Sequence, residues 1–165
     1  LNTMGYAADR ITAWRDPWSD PQNTGFQIIQ SLYAIGSGGL MGLGLGRSRQ
    51  KYLYLPEEHN DYIFPIVCEE LGFIGAALIL VLFALLILRG YWIALHSPDR
   101  FCFLVCAGVT TLLAIQVFLN VAVVTNLVPC TGISLPFFSY GGTALLIELF
   151  EMGIVLSASR DILTY

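Results

Sequence analysis

Two long stretches without a charged side chain constrain this chain more than any other feature. They are "LGFIGAALILVLFALLIL", residues 71–88, bounded by Glu70 and Arg89, and a longer run from Phe101 to Ile147. A helix needs about 20 apolar residues to cross a bilayer's hydrocarbon core of about 30 Å. The first run therefore predicts a transmembrane helix over about 69–90. The second is too long for one span. It divides at "NLVPCTGISLPFFSYGG" (126–142), where two prolines and three glycines break helical structure, giving spans at about 101–124 and 141–159. Of 165 residues, 56% are hydrophobic and 12% charged, whereas soluble domains carry about 25% charged residues. The expected fold class is all-α integral membrane: a polytopic helix bundle fragment with about three transmembrane helices in 61–165. A large loop over 1–60 precedes them, and together they form one membrane domain.

Orientation follows from basic residues in short loops. Arg89, His96 and Arg100 lie on or beside the first connection and Arg160 near the end, whereas the 125–140 connection has no charge. The first connection and the tail should face the cytoplasm, and residues 1–60 the outside. That places Arg10, Arg15, Arg47, Arg49 and Lys51, five of the eight basic residues, on the outer side. Long loops escape the charge rule, so these charges need another explanation. The opening "LNTMGYAADRITAWRDPW" lacks the basic start, apolar core and cleavage site of a signal peptide, so an upstream segment or earlier span is expected.

Between these regions, "GFQIIQSLYAIGSGGLMGLGLG" (25–46) holds seven glycines in 22 residues. Glycine favours irregular backbone and close approach, which predicts an amphipathic or re-entrant helix on Phe26 to Ile35 followed by a tight loop. Irregular backbone at membrane depth needs protein or a water-filled cavity around it, and a cavity is expected. "GLGLGRS" is not a nucleotide cradle, because no strand precedes it and no G-K-[ST] follows. A net charge of −4 without a basic run gives no reason to expect a nucleic-acid partner. Cys68, Cys102, Cys106 and Cys130 form no C-x-x-C pair and read as small apolar packing residues, not as a disulfide or zinc site.

The stretch "LPEEHNDYIFPIVCEELG" (55–72) gathers Glu57, Glu58, Asp61, Glu69 and Glu70 just before the greasy run. With what precedes it, "RDPWSDPQNTGFQIIQSLYAIGSGGLMGLGLGRSRQKYLYLPEEHNDYIFPIVCEELGFIG" resembles the large extracytoplasmic loop and following helix of the SEDS proteins (RodA, FtsW, SpoVE). "NVAVVTNLVPCTGISLPFFSYGGTALL" resembles their last external loop and last span. The resemblance covers nearly the whole chain and implies the C-terminal part of a protein of about ten spans, without the first six or so. It implies an inverting glycosyltransferase, a peptidoglycan polymerase acting on the lipid-linked disaccharide-peptide precursor, lipid II, at the outer face of the bacterial cytoplasmic membrane.

Asp61 in "HNDYIF" corresponds to the family's essential aspartate in "H-T-D-F-I-F", with Asn60 replacing Thr and Tyr62 replacing Phe. Flanked by Tyr62, Ile63 and Phe64, its carboxylate is expected to be partly desolvated, which makes a better general base. The spacing alone fits an N-cap for the following helix equally well. An α-linked lipid donor giving a β-linked glycan implies a single displacement, for which one base suffices.

Glu57 and Glu58, with Asp61, offer oxygen ligands to a divalent cation such as Mg²⁺ or Mn²⁺, or are simply solvated. No cofactor is otherwise implied. His59 orients a carboxylate or is an ordinary loop histidine. Glu70, entering the apolar run beside Glu69, faces the catalytic cavity or complements the helix dipole in its first turn. Arg47, Arg49 and Lys51 are placed to hold diphosphate oxygens, or lipid headgroups. Ser139 and Tyr140 in "SYGG" are expected to shape the opposite wall, with Gly141 and Gly142 permitting close packing. Glu148 and Glu151 must face protein or water, with no assigned role.

The alternatives are a lipid II flippase, which should depend on deep charges such as Glu148, and a non-catalytic scaffold, which would leave Asp61 dispensable. The partners the resemblance implies are lipid II, the growing glycan strand, a class B penicillin-binding transpeptidase and membrane lipids.

Overall fold

The structure, a computed structural model, describes residues 10–21, 25–46 and 61–162. Among them every regular element is helical. Helix α1 covers residues 10–15 and leads into a 3-10 turn at Pro17–Ser19. It is followed by α2 (Phe26–Ser37), α3 (Ile63–Leu95), α4 (Arg100–Val124) and α5 (Gly142–Ile162). Helices α3, α4 and α5 are long and apolar enough to cross a membrane.

Helix α3 is longer than the run that predicts it, starting at Ile63 where the sequence points to 69 and ending at Leu95 where it points to 90. Pro65 explains the early start: in a first helical turn the missing N–H has no partner to lose. The 33-residue helix is nevertheless broken at Gly72, whose φ of 67° and ψ of −172° lie in a region essentially restricted to glycine.

An unbroken helix would pair Phe73 N with Glu69 O and Ile74 N with Glu70 O. The loop after α2 inserts into both bonds. Leu43 N donates to Glu69 O at 2.9 Å and Gly44 N to Glu70 O at 3.0 Å, while Phe73 N donates to Gly39 O and Ile74 N to Leu40 O. The two backbones approach so closely that a Cβ at Gly38 would overlap the Cys68 carbonyl, and one at Gly42 the Glu70 carbonyl. Gly38 and Gly42 therefore serve a backbone-to-backbone junction: the irregular segment packs on α3 along one side, while Leu40, Met41 and Leu45 are exposed on the other. Helix α2, 12 residues long, is about 18 Å, too short to cross. It buries Ile28, Ile29, Ser31 and Ala34, and Ser31 Oγ donates to Val124 O at the end of α4.

A four-residue connection, 96–99, makes α3 and α4 antiparallel neighbours, and α5 packs against both. Among the described residues two cores hold the bundle. The first joins Tyr62, Phe64, Ile66, Ala76 and Phe83 of the α3 region to Val117, Val124 and Leu135. The second, at the opposite end, joins Ile93 and Ala94 to Cys106, Val155 and Ala158. Cys68 and Cys106 are buried apolar packing residues, and all four cysteines are free. Phe73, Ile74, Leu78, Leu82, Leu85 and Leu88 of α3 point outward, as a helix facing lipid or neighbouring spans requires.

Candidate active site

Helix α3 starts, α4 ends and α5 starts at the same end of the bundle, joined there by the 125–141 connection. Asp61 lies at this end, half-buried. Tyr62, not Asp61, occupies the N-cap position of α3, so the capping reading of Asp61 does not describe the fold. Its backbone carbonyl accepts a hydrogen bond from Asn120 Nδ2 at 3.0 Å, and the same Nδ2 donates to Ile133 O at 2.8 Å. Asp61 Oδ2 lies 3.4 Å from where a Cβ would stand on Gly132, which has φ of +69°. The carboxylate thus abuts the loop at Gly132, the one residue there without a side chain.

The same loop is held from α1. Arg10 Nη1 donates to Cys130 O at 2.9 Å, and Trp14 Nε1 donates to Asn126 O at 3.1 Å. Tyr62 is buried, and its hydroxyl donates to Cys130 Sγ at 3.4 Å. Burial first, then this contact, pushes the phenol well above its ordinary range; the nearby Asp61 charge acts in the same direction and the Arg10 charge against it. Arg10, Asp61, Tyr62, Cys130 and Gly132 therefore form one cluster, with a cation and a carboxylate both within electrostatic reach of one buried hydroxyl.

Arg47, Arg49, Lys51, Glu57, Glu58 and His59 lie outside the described residues. Among the described residues no three His, Cys, Asp or Glu side chains gather as a metal site requires. Glu70 is not in a first turn: because α3 begins at Ile63, Glu69 and Glu70 end its first segment, just before the break. Glu69 is buried, and Glu70 Oε1 is buried without a hydrogen-bond partner among the described residues. Ser139 Oγ accepts from Leu135 N at 2.8 Å and so closes the loop's own turn, whereas Tyr140 is 84% exposed. Gly142 has no atom within 4 Å of a built Cβ, so close packing does not account for it.

Glu148, 8% exposed, acquires a definite role. Its Oε2 accepts from Phe137 N at 2.8 Å, and Phe137 is a non-glycine residue with φ of 63°. The carboxylate fixes the connection to α5 at its most constrained point. Asn120, Arg10 and Gly132 carry no motif of their own in a single sequence. The available signal was an amide in an apolar span, since polar groups there are costly and tend to be functional.

Over residues 1–162 the chain matches the FtsW, RodA and SpoVE family model, described as cell cycle protein. The chain belongs to this family. Stage V sporulation protein E of Bacillus subtilis is 56% identical over 155 residues, covering 94% of this chain and 42% of that protein. A probable peptidoglycan glycosyltransferase FtsW of Geobacter metallireducens is 51% identical over 156 residues, with the same coverage of 94% and 42%. The chain thus spans about two fifths of the length of these FtsW/RodA/SpoVE relatives. A solved structure described as "Structural coordination of polymerization and crosslinking by a peptidoglycan synthase complex" aligns with TM-score 0.73 and 34% identity, over 95% of this chain and 42% of that one. An aspartate-to-alanine mutant of the rod shape determining protein RodA from Thermus thermophilus aligns with TM-score 0.61 and 35% identity, over 79% of this chain and 39% of that one.

Proposed function

We propose that this chain carries the catalytic end of a peptidoglycan glycosyltransferase that extends a glycan strand from lipid II at the outer face of the bacterial cytoplasmic membrane. The observation that carries the reading is Asp61: a half-buried carboxylate at the end of a membrane-length helix, fixed through its own backbone and set against the bare backbone of Gly132. Relatives named as peptidoglycan glycosyltransferases support the chemistry.

In this mechanism Asp61 takes the proton of the acceptor hydroxyl as that oxygen attacks the anomeric carbon of the donor sugar. The new glycosidic C–O bond forms while the bond to the lipid diphosphate breaks, and the diphosphate leaves with the electron pair. Inversion in one displacement needs no covalent enzyme intermediate. Arg47, Arg49 and Lys51 are proposed to hold the diphosphate oxygens, with Glu57, Glu58, His59, Glu70, Ser139 and Tyr140 lining the substrate path. The ring-lined cleft of Ile79, Leu82, Phe83, Leu86, Phe137 and Phe138, about 150 Å³, offers the lipid tail an apolar seat. A class B penicillin-binding transpeptidase is the proposed partner, supported by the synthase complex among the solved relatives.

The flippase alternative leans on deep charges, yet Glu148 is committed to the Phe137 amide. Asp61→Asn keeps side-chain size and removes the basic oxygen. In the full-length protein supplied with purified lipid II, general-base loss should lower the polymerisation rate about 100- to 10,000-fold, at unchanged membrane level. An Asp61→Asn protein that still makes long glycan chains would overturn the assignment.

A further inference from the structure

We infer that Asn120 is a positioning residue for Asp61, setting the separation between the carboxylate and the 130–133 loop; this rests on the reading of Asp61 as base. Asn120 is 1% exposed in the last two turns of the apolar helix α4. Its one NH₂ group bridges the carbonyls of Asp61 and Ile133 at 3.0 and 2.8 Å. Those two carbonyls belong to the two segments that face each other across the site: Asp61 carries the carboxylate, and Gly132, next to Ile133, is the residue it abuts. The clamp and the gap it spans are therefore the same feature seen from its two sides.

The amide is held there at a cost. With the NH₂ turned to both carbonyls, Asn120 Oδ1 is buried without a hydrogen-bond partner among the described residues, which destabilises the fold relative to a fully satisfied group. A residue serving packing alone in this apolar setting would be leucine. The opposite side of the loop is fixed independently, by Arg10 on Cys130 O. Held at Cys130 and at Ile133, the loop leaves Gly132 little freedom, and the Asn120 bridge decides how far Asp61 stands from it.

A general base works only when its oxygen reaches the proton in a near-attack geometry, and a displacement of about 1 Å lowers a rate by about 100-fold. The test uses the full-length protein in membranes with purified lipid II, reading kcat, KM and the amount of lipid II bound per protein at saturation. Asn120→Leu keeps the shape and removes both donors. Asn120→Gln keeps the donors on a longer arm, so each carbonyl retains a partner and the fold is spared. Both should lower kcat about 10- to 100-fold, with KM and the binding stoichiometry within about twofold of the parent. A residue that merely held the fold together would reduce the stoichiometry in step with the rate. If Asn120→Leu does not accumulate in the membrane, Asn120→Gln decides. Parent-like kcat in Asn120→Gln, or a rate that falls only in step with bound lipid II, overturns the proposal. Asp61→Asn in parallel separates the two levels: its inactivity beside an active Asn120→Gln sinks positioning alone, whereas an active Asp61→Asn sinks the base and positioning together.

Discussion

Tyr62 and Glu148 show how single side chains at this end of the bundle are committed to structure. Tyr62 is held neutral by burial and by its contact with Cys130, so its ionisation is harder in the folded than in the unfolded chain. Unfolded tyrosine loses its proton near pH 10, and above that pH the unfolded state binds fewer protons than the folded one. Stability then falls as pH rises. Thermal unfolding in detergent should therefore show a melting temperature that declines above about pH 10, and Tyr62→Phe should lessen the decline. Glu148 presents one oxygen to Phe137 N. Glu148→Gln retains an acceptor and should unfold like the parent, whereas Glu148→Leu leaves the partly buried Phe137 N–H unpaired and should lose about 1 kcal/mol. Were Glu148→Gln to abolish function in a well-folded protein, its charge and not its hydrogen bond would matter, and the transport alternative would regain ground.

Among the elements, the break in α3 is the least conventional. Two helical hydrogen bonds are exchanged for four bonds to the 39–44 loop, so the break leaves no orphaned backbone at Glu69, Glu70, Phe73 or Ile74. The exchange is possible only where neither backbone carries a Cβ at the point of contact. Gly42→Ala and Gly72→Ala, each at positive φ and each forced against the other segment's backbone, should destabilise the protein by at least about 1–3 kcal/mol. Gly36 in α2 provides the contrast, with no atom within 4 Å of a built Cβ. Gly36→Ala should stabilise by about 0.5–1 kcal/mol. Differential scanning of the three variants separates the junction from a general intolerance of glycine replacement; equal losses in all three would remove the junction's special status.

For the molecule as a whole, the ends of the bundle differ in charge. Arg89, Arg100 and Arg160 cluster towards the end that holds the 96–99 turn, while the 125–141 connection holds no charge. Basic short loops stay in the cytoplasm, which supports the proposed placement of Asp61 on the outer face. With Cys68, Cys102, Cys106 and Cys130 replaced, a membrane-impermeant maleimide applied to intact cells should label a cysteine at exposed Thr131 and spare one at Ser97 until the membrane is opened. The reverse pattern would turn the site inward and end the polymerase reading.

Three membrane-length helices, the division of the long uncharged run, the glycine loop after a short helix and the motif around Asp61 were all legible in the chain, because each is a local property of consecutive residues. A span is a length of uncharged sequence, and a glycine cluster announces close backbone approach without naming the partner. What met that loop, where α3 begins, and what Asn120, Arg10 and Glu148 hold were decided by tertiary structure alone. Asn120 and Asp61 are 59 positions apart, and Arg10 and Cys130 are 120 apart. Their acceptors are backbone carbonyls, which every residue possesses, so no residue type or spacing marks the partner. Packing three helices brings Asp61 within reach of one buried amide, and that proximity exists only in the folded chain.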